Sequence, residues 1–195
     1  ANEAGDPRAM RLAQESLANF QAQLSIDQMR EQQATLSSVL EKAGDAYRSQ
    51  LRDAPRAVAY LKGRGLSGEV AKRFGLGYAP EGWRSLASVF PQYDDPLLVE
   101  SGLVISNAEE GSEEKRYDRF RDRIMYPIRD SRGRVIGFGG RVLGDEKPKY
   151  LNSPESEIYH KSRVLYGLFQ AKREMTRSDK CYLVEGYTDV LSMHQ

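Results

Sequence analysis

Apolar positions recur at helical spacing through the first quarter of the chain, among Ala, Leu, Gln, Glu and Arg residues that favour helix. They form two runs: Leu17, Phe20, Leu24 and Ile26, then Leu36, Val39, Leu40, Ala43 and Tyr47. Thr35 offers a capping position between the runs. Between Pro7 and Asp53 the pattern therefore predicts a leader helix and then a second helix that docks on a core. We interpret the leader as a linker or arm rather than a specific binding element.

Short helices are predicted over the next fifty residues, because prolines, glycines and a serine mark where they begin and end. Pro55 opens the first helix, Gly63-Arg64-Gly65 ends it, and Ser67 caps a helix that runs to Phe74. The remaining predicted elements of this region are a helix over 85–90, a helix over 96–101 and an exposed, mobile acidic loop over 109–114.

The apolar period then changes from helical to alternating. Residues 117–128 alternate and are rich in aromatic and branched side chains, Asp130-Ser131-Arg132-Gly133 is a turn signal, and Val135–Phe138 follow. This pattern predicts a β-hairpin. Gly137, Gly139 and Gly140 would weaken an ordinary strand and indicate a bulge or the close approach of another backbone.

The last thirty residues predict a helix over 164–177, a short buried strand at Tyr182-Leu183-Val184 and a helix from Tyr187 to His194. The fold class is therefore mixed α/β (α+β). It has amino-terminal helices, a small mainly antiparallel sheet with a β-hairpin, and then one further strand and helix.

The amino-acid composition indicates the cellular compartment of the protein more than its activity. The chain has one cysteine, Cys181, which excludes an intrachain disulfide and a multi-cysteine zinc site. No apolar stretch approaches the roughly 20 residues that span a bilayer, and residues 1–6 do not resemble a signal peptide. These features favour a cytoplasmic protein without membrane contact.

Charge is uneven along the chain although its net value is only +1. Residues 115–141 contain nine Lys and Arg residues against three Asp residues, a local excess that could bind a polyanion. Alternation in a strand would place Arg119, Arg121 and Arg123 on one face, where guanidinium groups suit phosphate. A solvated face with Asp118 and Asp122 as counterions is the alternative.

Two further segments carry candidate binding residues. Trp83, in a turn after Gly82, could stack on an unpaired base, although a single tryptophan is more often a core or rim residue. The segment Pro148–Pro154 has a proline at each end, so it could hold Lys149 and Asn152 in fixed geometry or serve only as a structural crossover.

Glu185 would lie at the carboxyl end of the predicted strand, where open α/β sheets place their ligands. Gly186 permits a tight turn, and Asp189 lies about one helical turn further on. Two such carboxylates can share a hard cation such as Mg²⁺. The pentapeptide alone is a weak signal, because helix-capping carboxylates have the same pattern.

Taken together, several segments resemble the bacterial replicative DNA primases. The resemblance is carried by Tyr60–Leu66, Arg73–Pro80, Gly82-Trp83, Arg116–Ile128, Gly137–Arg141, Pro148–Glu155, His160-Lys161 and Glu185–Tyr187. It covers about residues 36–195 and implies that 1–35 are the linker that follows a zinc-binding domain. It further implies that 36–177 are the amino-terminal subdomain of an RNA-polymerase core and that 178–195 begin a TOPRIM domain.

The resemblance implies that the protein copies a single-stranded DNA template into short RNA from ribonucleoside triphosphates. The implied template-groove residues are Arg64, Trp83, Arg119, Arg121 and Arg141. The residues implied to approach the triphosphates are Lys149, Tyr150, Asn152 and Lys161. Glu185 and Asp189 are implied to belong to a Mg²⁺ or Mn²⁺ site, with Glu185 in a direct catalytic role.

The family pattern continues beyond this sequence. Its later Asp-x-Asp carboxylates, its zinc-binding domain and the carboxyl-terminal domain that binds the replicative helicase are absent, and Thr188 replaces the usual Met. We therefore expect that this segment by itself synthesises no RNA. We also expect a monomer. Two alternatives are a basic groove that binds single-stranded nucleic acid without catalysis, and another TOPRIM enzyme. The Arg119 and Lys149 segments argue against the second.

Overall fold

A computed structural model describes residues 7–107 and 114–195. Residues 1–6 and nearly all of the predicted acidic loop over 109–114 lie outside that description. The helices are α1 (Pro7–Arg52), α2 (Pro55–Gly63), α3 (Gly68–Phe74), α4 (Pro96–Glu100), α5 (Leu168–Ser178) and α6 (Tyr187–His194), with 3-10 turns at Ser85–Ser88 and Lys161–Arg163. The strands are β1 (Gly77–Ala79), β2 (Val104–Asn107), β3 (Lys115–Asp118), β4 (Arg123–Arg129), β5 (Val135–Val142) and β6 (Tyr150–Asn152).

Helix α1 is continuous, so the predicted division into two helices near Thr35 is wrong. The Thr35 hydroxyl donates to the carbonyl of Glu31 at 2.9 Å, one turn back in the same helix, and so caps nothing. No proline or glycine occurs between Arg8 and Lys42 to interrupt the helix. By its contacts the chain divides into residues 1–35 and 36–195.

In residues 1–35 the described apolar side chains are exposed. Phe20 is 66% exposed and Leu17 is 57% exposed. The remainder of α1 belongs to the second unit, where its apolar face is buried through Leu36, Leu40, Ala43 and Tyr47. Among the described residues, no helix is long and apolar enough to cross a membrane.

The second unit is built on a four-stranded antiparallel sheet in the order β1-β4-β5-β6. Strands β4 and β5 form the predicted hairpin, and Asp130 closes its turn by accepting hydrogen bonds at 2.9 Å from the backbone of Arg132 and of Arg134. Glu41 of α1 ties the helix to this hairpin, since one carboxylate oxygen accepts from Arg129 at 3.1 Å and from the Val135 backbone at 2.9 Å.

At two glycines of β5 the close approach comes from side chains and not from the predicted second backbone. A Cβ at Gly139 would lie 2.5 Å from the Tyr187 ring, and one at Gly140 would lie 2.8 Å from the Phe120 ring. Two aromatic side chains therefore pack directly on the backbone of this strand. The predicted fold class is confirmed by the helices and the small antiparallel sheet.

Two predicted strands differ from the structure. Residues 117–128 are not one strand, because β3 ends at Asp118 and β4 begins at Arg123, in different sheets. The chain bends at Arg119 and Asp122 between them, with Asp118 buried and Asp122 at a positive φ of 49°. The side-chain alternation that would align Arg119, Arg121 and Arg123 therefore does not apply.

The predicted buried strand at 182–184 is also wrong. Tyr182 is 77% exposed, Leu183 is 81% exposed, and neither lies in a strand. A strand needs a neighbour to pair its backbone groups, and in the described part of the chain no strand lies beside this segment. The final helix, α6, forms as predicted, and α5 begins at Leu168 rather than at Val164.

Candidate functional site

A cleft of about 1180 Å³ opens in the second unit between β6, the Lys161 turn, α5, α6 and the segment before α6. Its lining includes Tyr150, Asn152, Lys161, Glu185 and Asp189. The structure thus brings together five residues that the sequence marks from three separate segments. Lys149, the sixth residue of this set, is exposed and is not part of the lining.

The loop that carries Lys149 is held by Arg123. The Arg123 guanidinium donates to the backbone carbonyls of Pro148 at 3.0 Å and Lys149 at 3.3 Å, and to that of Gly140 at 3.4 Å. Arg123 is buried, and burial lowers its pKa. It is therefore a structural residue that fastens the Lys149 loop to β5, not a free cation on a basic face.

The backbone around Lys161 is fixed by Glu155. One Glu155 oxygen accepts from the Lys161 backbone N–H at 3.0 Å, and the other lies 3.1 Å from Nδ1 of His160. The hydrogen bond from Lys161, with that from His160, holds the pKa of Glu155 below its ordinary value. The Lys161 side chain is left exposed beside the cleft.

The acidic motif lies at the start of α6. Asp189 accepts a hydrogen bond at 3.1 Å from the backbone of Gly186, so it caps its own helix, and Glu185 is exposed just before that cap. Within the described ranges no group of three or more His, Cys, Asp or Glu residues could hold a metal ion. Glu185 and Asp189 are two of the three described carboxylates that line the cleft, the third being Glu174, and their oxygens are of the ligand type that Mg²⁺ prefers.

Trp83 lies in an exposed aromatic and cationic cluster. Its ring is 64% exposed and meets the Tyr117 ring edge-on at 5.5 Å. The Arg121 guanidinium lies over both rings, 4.2 Å from the Trp83 centroid and 5.2 Å from that of Tyr117. A planar ring with a cation beside it suits a nucleic-acid base and its phosphate. We call Trp83, Tyr117 and Arg121 the tryptophan cluster.

Arg119 does not join that cluster. Its Nε donates to the carbonyl of Gly102 at 2.8 Å, and burial lowers its pKa. The expectation that Arg119 and Arg121 share one open face is therefore wrong, because Arg119 turns inward to satisfy a loop carbonyl.

Arg64 and Arg141 lie together in a second cluster. Both guanidinium groups lie near the ring of Tyr60, Arg64 at 5.5 Å and Arg141 at 4.9 Å, and Arg141 is also 5.8 Å from the Tyr150 ring. Arg64 is exposed, whereas Arg141 is only 8% exposed and donates to the Val142 carbonyl. The residues proposed from the sequence for one groove thus fall into two clusters, with Arg119 apart from both.

Sequence reasoning gave Tyr60, Tyr117 and Tyr187 no role in these sites, and it placed Arg123 on a phosphate-binding face instead of under the Lys149 loop. Tyr187 belongs to a segment that carries the primase resemblance, and Gly139 indicated a bulge or the approach of another backbone, but neither signal pointed to the contact between them. The contacts of Tyr60, Tyr117 and Arg123 are not predicted by any local pattern, because they depend on segments far apart in the chain.

Comparisons with known proteins agree on one family. A family model described as the N-terminal domain of the DNA primase catalytic core matches residues 46–172. The DNA primase of Pseudomonas putida strain KT2440 is 53% identical over 165 residues, which are 82% of this chain and 24% of that protein. The chain thus spans about a quarter of the length of that curated relative.

Solved structures give the same result. The DnaG primase catalytic domain bound to single-stranded DNA is similar with a TM-score of 0.76 and 43% identity, over 85% of this chain and 51% of that one. A DNA primase domain from Pseudomonas aeruginosa is similar with a TM-score of 0.74 and 49% identity, over 82% of this chain and 50% of that one.

Proposed function

The chain belongs to the DNA primase family, as the N-terminal domain of the catalytic core, and on that premise we propose that it serves template-directed RNA primer synthesis. In this proposal a complete core that contains the chain joins ribonucleoside triphosphates on a single-stranded DNA template. The supporting observation is the cleft, which gathers Tyr150, Asn152, Lys161, Glu185 and Asp189.

The residues of the cleft divide by chemistry. Lys161 is an exposed cation that suits a triphosphate, and Tyr150 and Asn152 offer a ring and an amide for the base or sugar. Lys149 adds a second cation from the adjoining loop, which Arg123 holds. Together they bind and orient the nucleotide, and orientation alone contributes much of the rate of a phosphoryl transfer.

Glu185 and Asp189 would hold a Mg²⁺ or Mn²⁺ ion in the complete core. The ion, when bound, would neutralise phosphate charge and assist attack by a hydroxyl group. Glu185 is the candidate for the direct catalytic role, because Asp189 already accepts the Gly186 backbone N–H. In this proposal 178–195 begin a TOPRIM domain whose further carboxylates complete the metal site.

The tryptophan cluster and Arg64 are the proposed template contacts. Trp83 offers a stacking surface, and Arg121 and Arg64 offer exposed or partly exposed charge. Arg141 supports this surface by packing on Tyr60 rather than by direct contact. A related catalytic domain bound to single-stranded DNA supports a template of that kind.

The remaining partners are proposed for other parts of a longer protein. A structural zinc site needs several ligands, and this chain has the single exposed thiol of Cys181. Zinc would therefore bind another domain, and the replicative helicase is proposed to bind a carboxyl-terminal domain, as the resemblance implies. We place the protein in the reducing cytoplasm, where a free exposed cysteine is ordinary.

The test is Glu185→Gln in a complete catalytic core. Gln cannot supply the anionic oxygen of a metal ligand, so we expect primer synthesis to fall at least about 100-fold. This loss exceeds the effect of removing a residue that only orients a metal ligand. Binding of single-stranded DNA should persist. Glu157→Gln is the matched control, since Glu157 is exposed and does not line the cleft.

Near-normal synthesis by Glu185→Gln would remove its catalytic role. If the unaltered core binds single-stranded DNA and makes no primer from ribonucleoside triphosphates, the alternative of a binding module without catalysis takes its place.

A further inference from the structure

Tyr187 is the first residue of α6, two positions after Glu185, and its ring is enclosed on three sides. The ring stacks on Tyr126 with centroids 5.0 Å apart and planes 12° apart, and meets Tyr166 edge-on at 4.7 Å. On the third side it lies against the bare backbone of Gly139, where a Cβ would come within 2.5 Å. The position of the Tyr187 hydroxyl is therefore set by packing.

That hydroxyl reaches the nucleotide side of the cleft. It donates to Oδ1 of Asn152 at 2.8 Å. Asn152 of β6 is the register partner of Gly139 in β5, so Tyr187 contacts both members of one strand pair.

This hydrogen bond uses the Asn152 amide oxygen and leaves the Nδ2 group available to a ligand. A carboxamide has one acceptor oxygen and two N–H donors, and here the oxygen is used by Tyr187. Within residues 7–107 and 114–195 the Nδ2 group makes no hydrogen bond, and Asn152 lines the cleft. A group with free donors matches the oxygen acceptors of a nucleotide phosphate or ribose.

The far end of α6 is also anchored. The Gln195 side chain accepts from the Ser67 backbone at 2.7 Å and donates to the Gly65 carbonyl at 2.8 Å. Leu191, midway along the helix, is fully buried. A helix held at its end and middle keeps the Tyr187 hydroxyl in place.

We propose that Tyr187 is a positioning residue for the incoming ribonucleoside triphosphate. Its hydroxyl holds the Asn152 amide so that Nδ2 donates to the nucleotide, and it fastens β6 to the segment that carries Glu185 and Asp189. This inference rests on the function proposed above. It assigns Tyr187 no contact with substrate and no part in the chemical step.

The test is Tyr187→Phe in a complete catalytic core, since Phe keeps the ring contacts and removes only the hydroxyl. The KM for ribonucleoside triphosphates should rise about five- to tenfold, the effect of losing one ordinary hydrogen bond. The kcat should change less than about twofold, because Tyr187 does not touch the reacting atoms. The Kd for single-stranded DNA should be unchanged.

Tyr166→Phe is the matched control. The Tyr166 hydroxyl belongs to the same ring cluster, is buried, and has no hydrogen-bond partner among the described residues. Its removal should leave KM unchanged. A similar rise in KM in both variants would show that any loss of a hydroxyl disturbs the cluster, and would overturn the proposal.

A double-mutant cycle with Asn152→Ala separates positioning from a general effect. If Tyr187 acts through Asn152, adding Tyr187→Phe to Asn152→Ala should not raise KM further. Additive increases, or a fall in kcat at unchanged KM, would overturn the inference alone. Absence of primer synthesis by the unaltered core would instead overturn the proposed function and this inference with it.

Discussion

Buried charged side chains in this chain are satisfied mainly by the backbone. Arg123 donates to three carbonyls, and Asp118 accepts from the Leu86 backbone at 3.0 Å and from the Tyr93 hydroxyl at 2.6 Å. Burial raises the pKa of Asp118, and the bonds from Tyr93 and Leu86 act in the opposite direction. At the scale of the residue, a charge in the basic segment therefore does not by itself indicate a binding residue.

Replacing Asp118 tests this structural role. Asp118→Ala leaves a buried hydroxyl and a buried backbone N–H without their acceptor, so we expect the free energy of unfolding to fall by about 2–4 kcal/mol. Urea denaturation measures it. In Asp45→Ala, which removes an exposed helical ion pair with Arg48, the change should stay within about 0.5 kcal/mol. Equal losses in the two variants would contradict the assignment.

Helix α6 is the element that joins the regions of the candidate site. Its first residue contacts β5 and β6, and its last turn packs on α3, where the His194 ring meets Phe74 edge-on at 5.0 Å. Burial lowers the pKa of His194, and the Arg73 charge adds to that effect while Glu174 opposes it. The docking of α6 is therefore sensitive to protonation of this histidine.

The sign of the pH effect follows from that lowered pKa. The folded pKa of His194 lies below its unfolded value near 6.5, so the unfolded state binds the proton more readily. The stabilisation is complete above about pH 7.5 and is lost as pH falls through the folded pKa. In urea denaturation between pH 7.5 and 5, the unaltered chain should lose more stability than His194→Gln. Identical pH profiles would refute this role.

At the scale of the whole molecule, most described cationic side chains are exposed, and the partly or fully buried ones lie in the basic segment 115–141. The tryptophan cluster combines a 64% exposed ring with a guanidinium at 4.2 Å, whereas Arg119, Arg123 and Arg141 are turned inward. The affinity for single-stranded DNA should therefore depend on Trp83 and Arg121 and should depend little on Arg119.

Binding measurements can check that distinction. Trp83→Ala should weaken binding of a single-stranded DNA oligonucleotide by about five- to 100-fold, since a stacked base contributes about 1–3 kcal/mol. Arg121→Ala should reduce the slope of log K against log salt by about 0.7, the effect of one phosphate contact. Arg119→Ala is the comparison, with an unchanged slope. A salt titration in which Arg119→Ala changes the slope as much as Arg121→Ala would refute the placement.

The sequence by itself determined the elements whose signals are local. Pro55, Ser67 and the Asp130–Gly133 turn mark their helices and hairpin through backbone geometry that neighbouring residues decide. The sequence also identified the cleft residues Tyr150 and Glu185, because the segments that contain them resemble the primases.

Only the tertiary structure decided which charges remain free and which strands exist. Arg119 and Arg123 turn inward because Gly102 and Pro148, distant in sequence, present carbonyls to them. Residues 182–184 form no strand because a strand is completed by a neighbour and not by its own side chains. The hydrogen bond from the Tyr187 hydroxyl to Asn152 likewise joins two remote segments. Such contacts depend on how the chain packs, and no local sequence pattern predicts them.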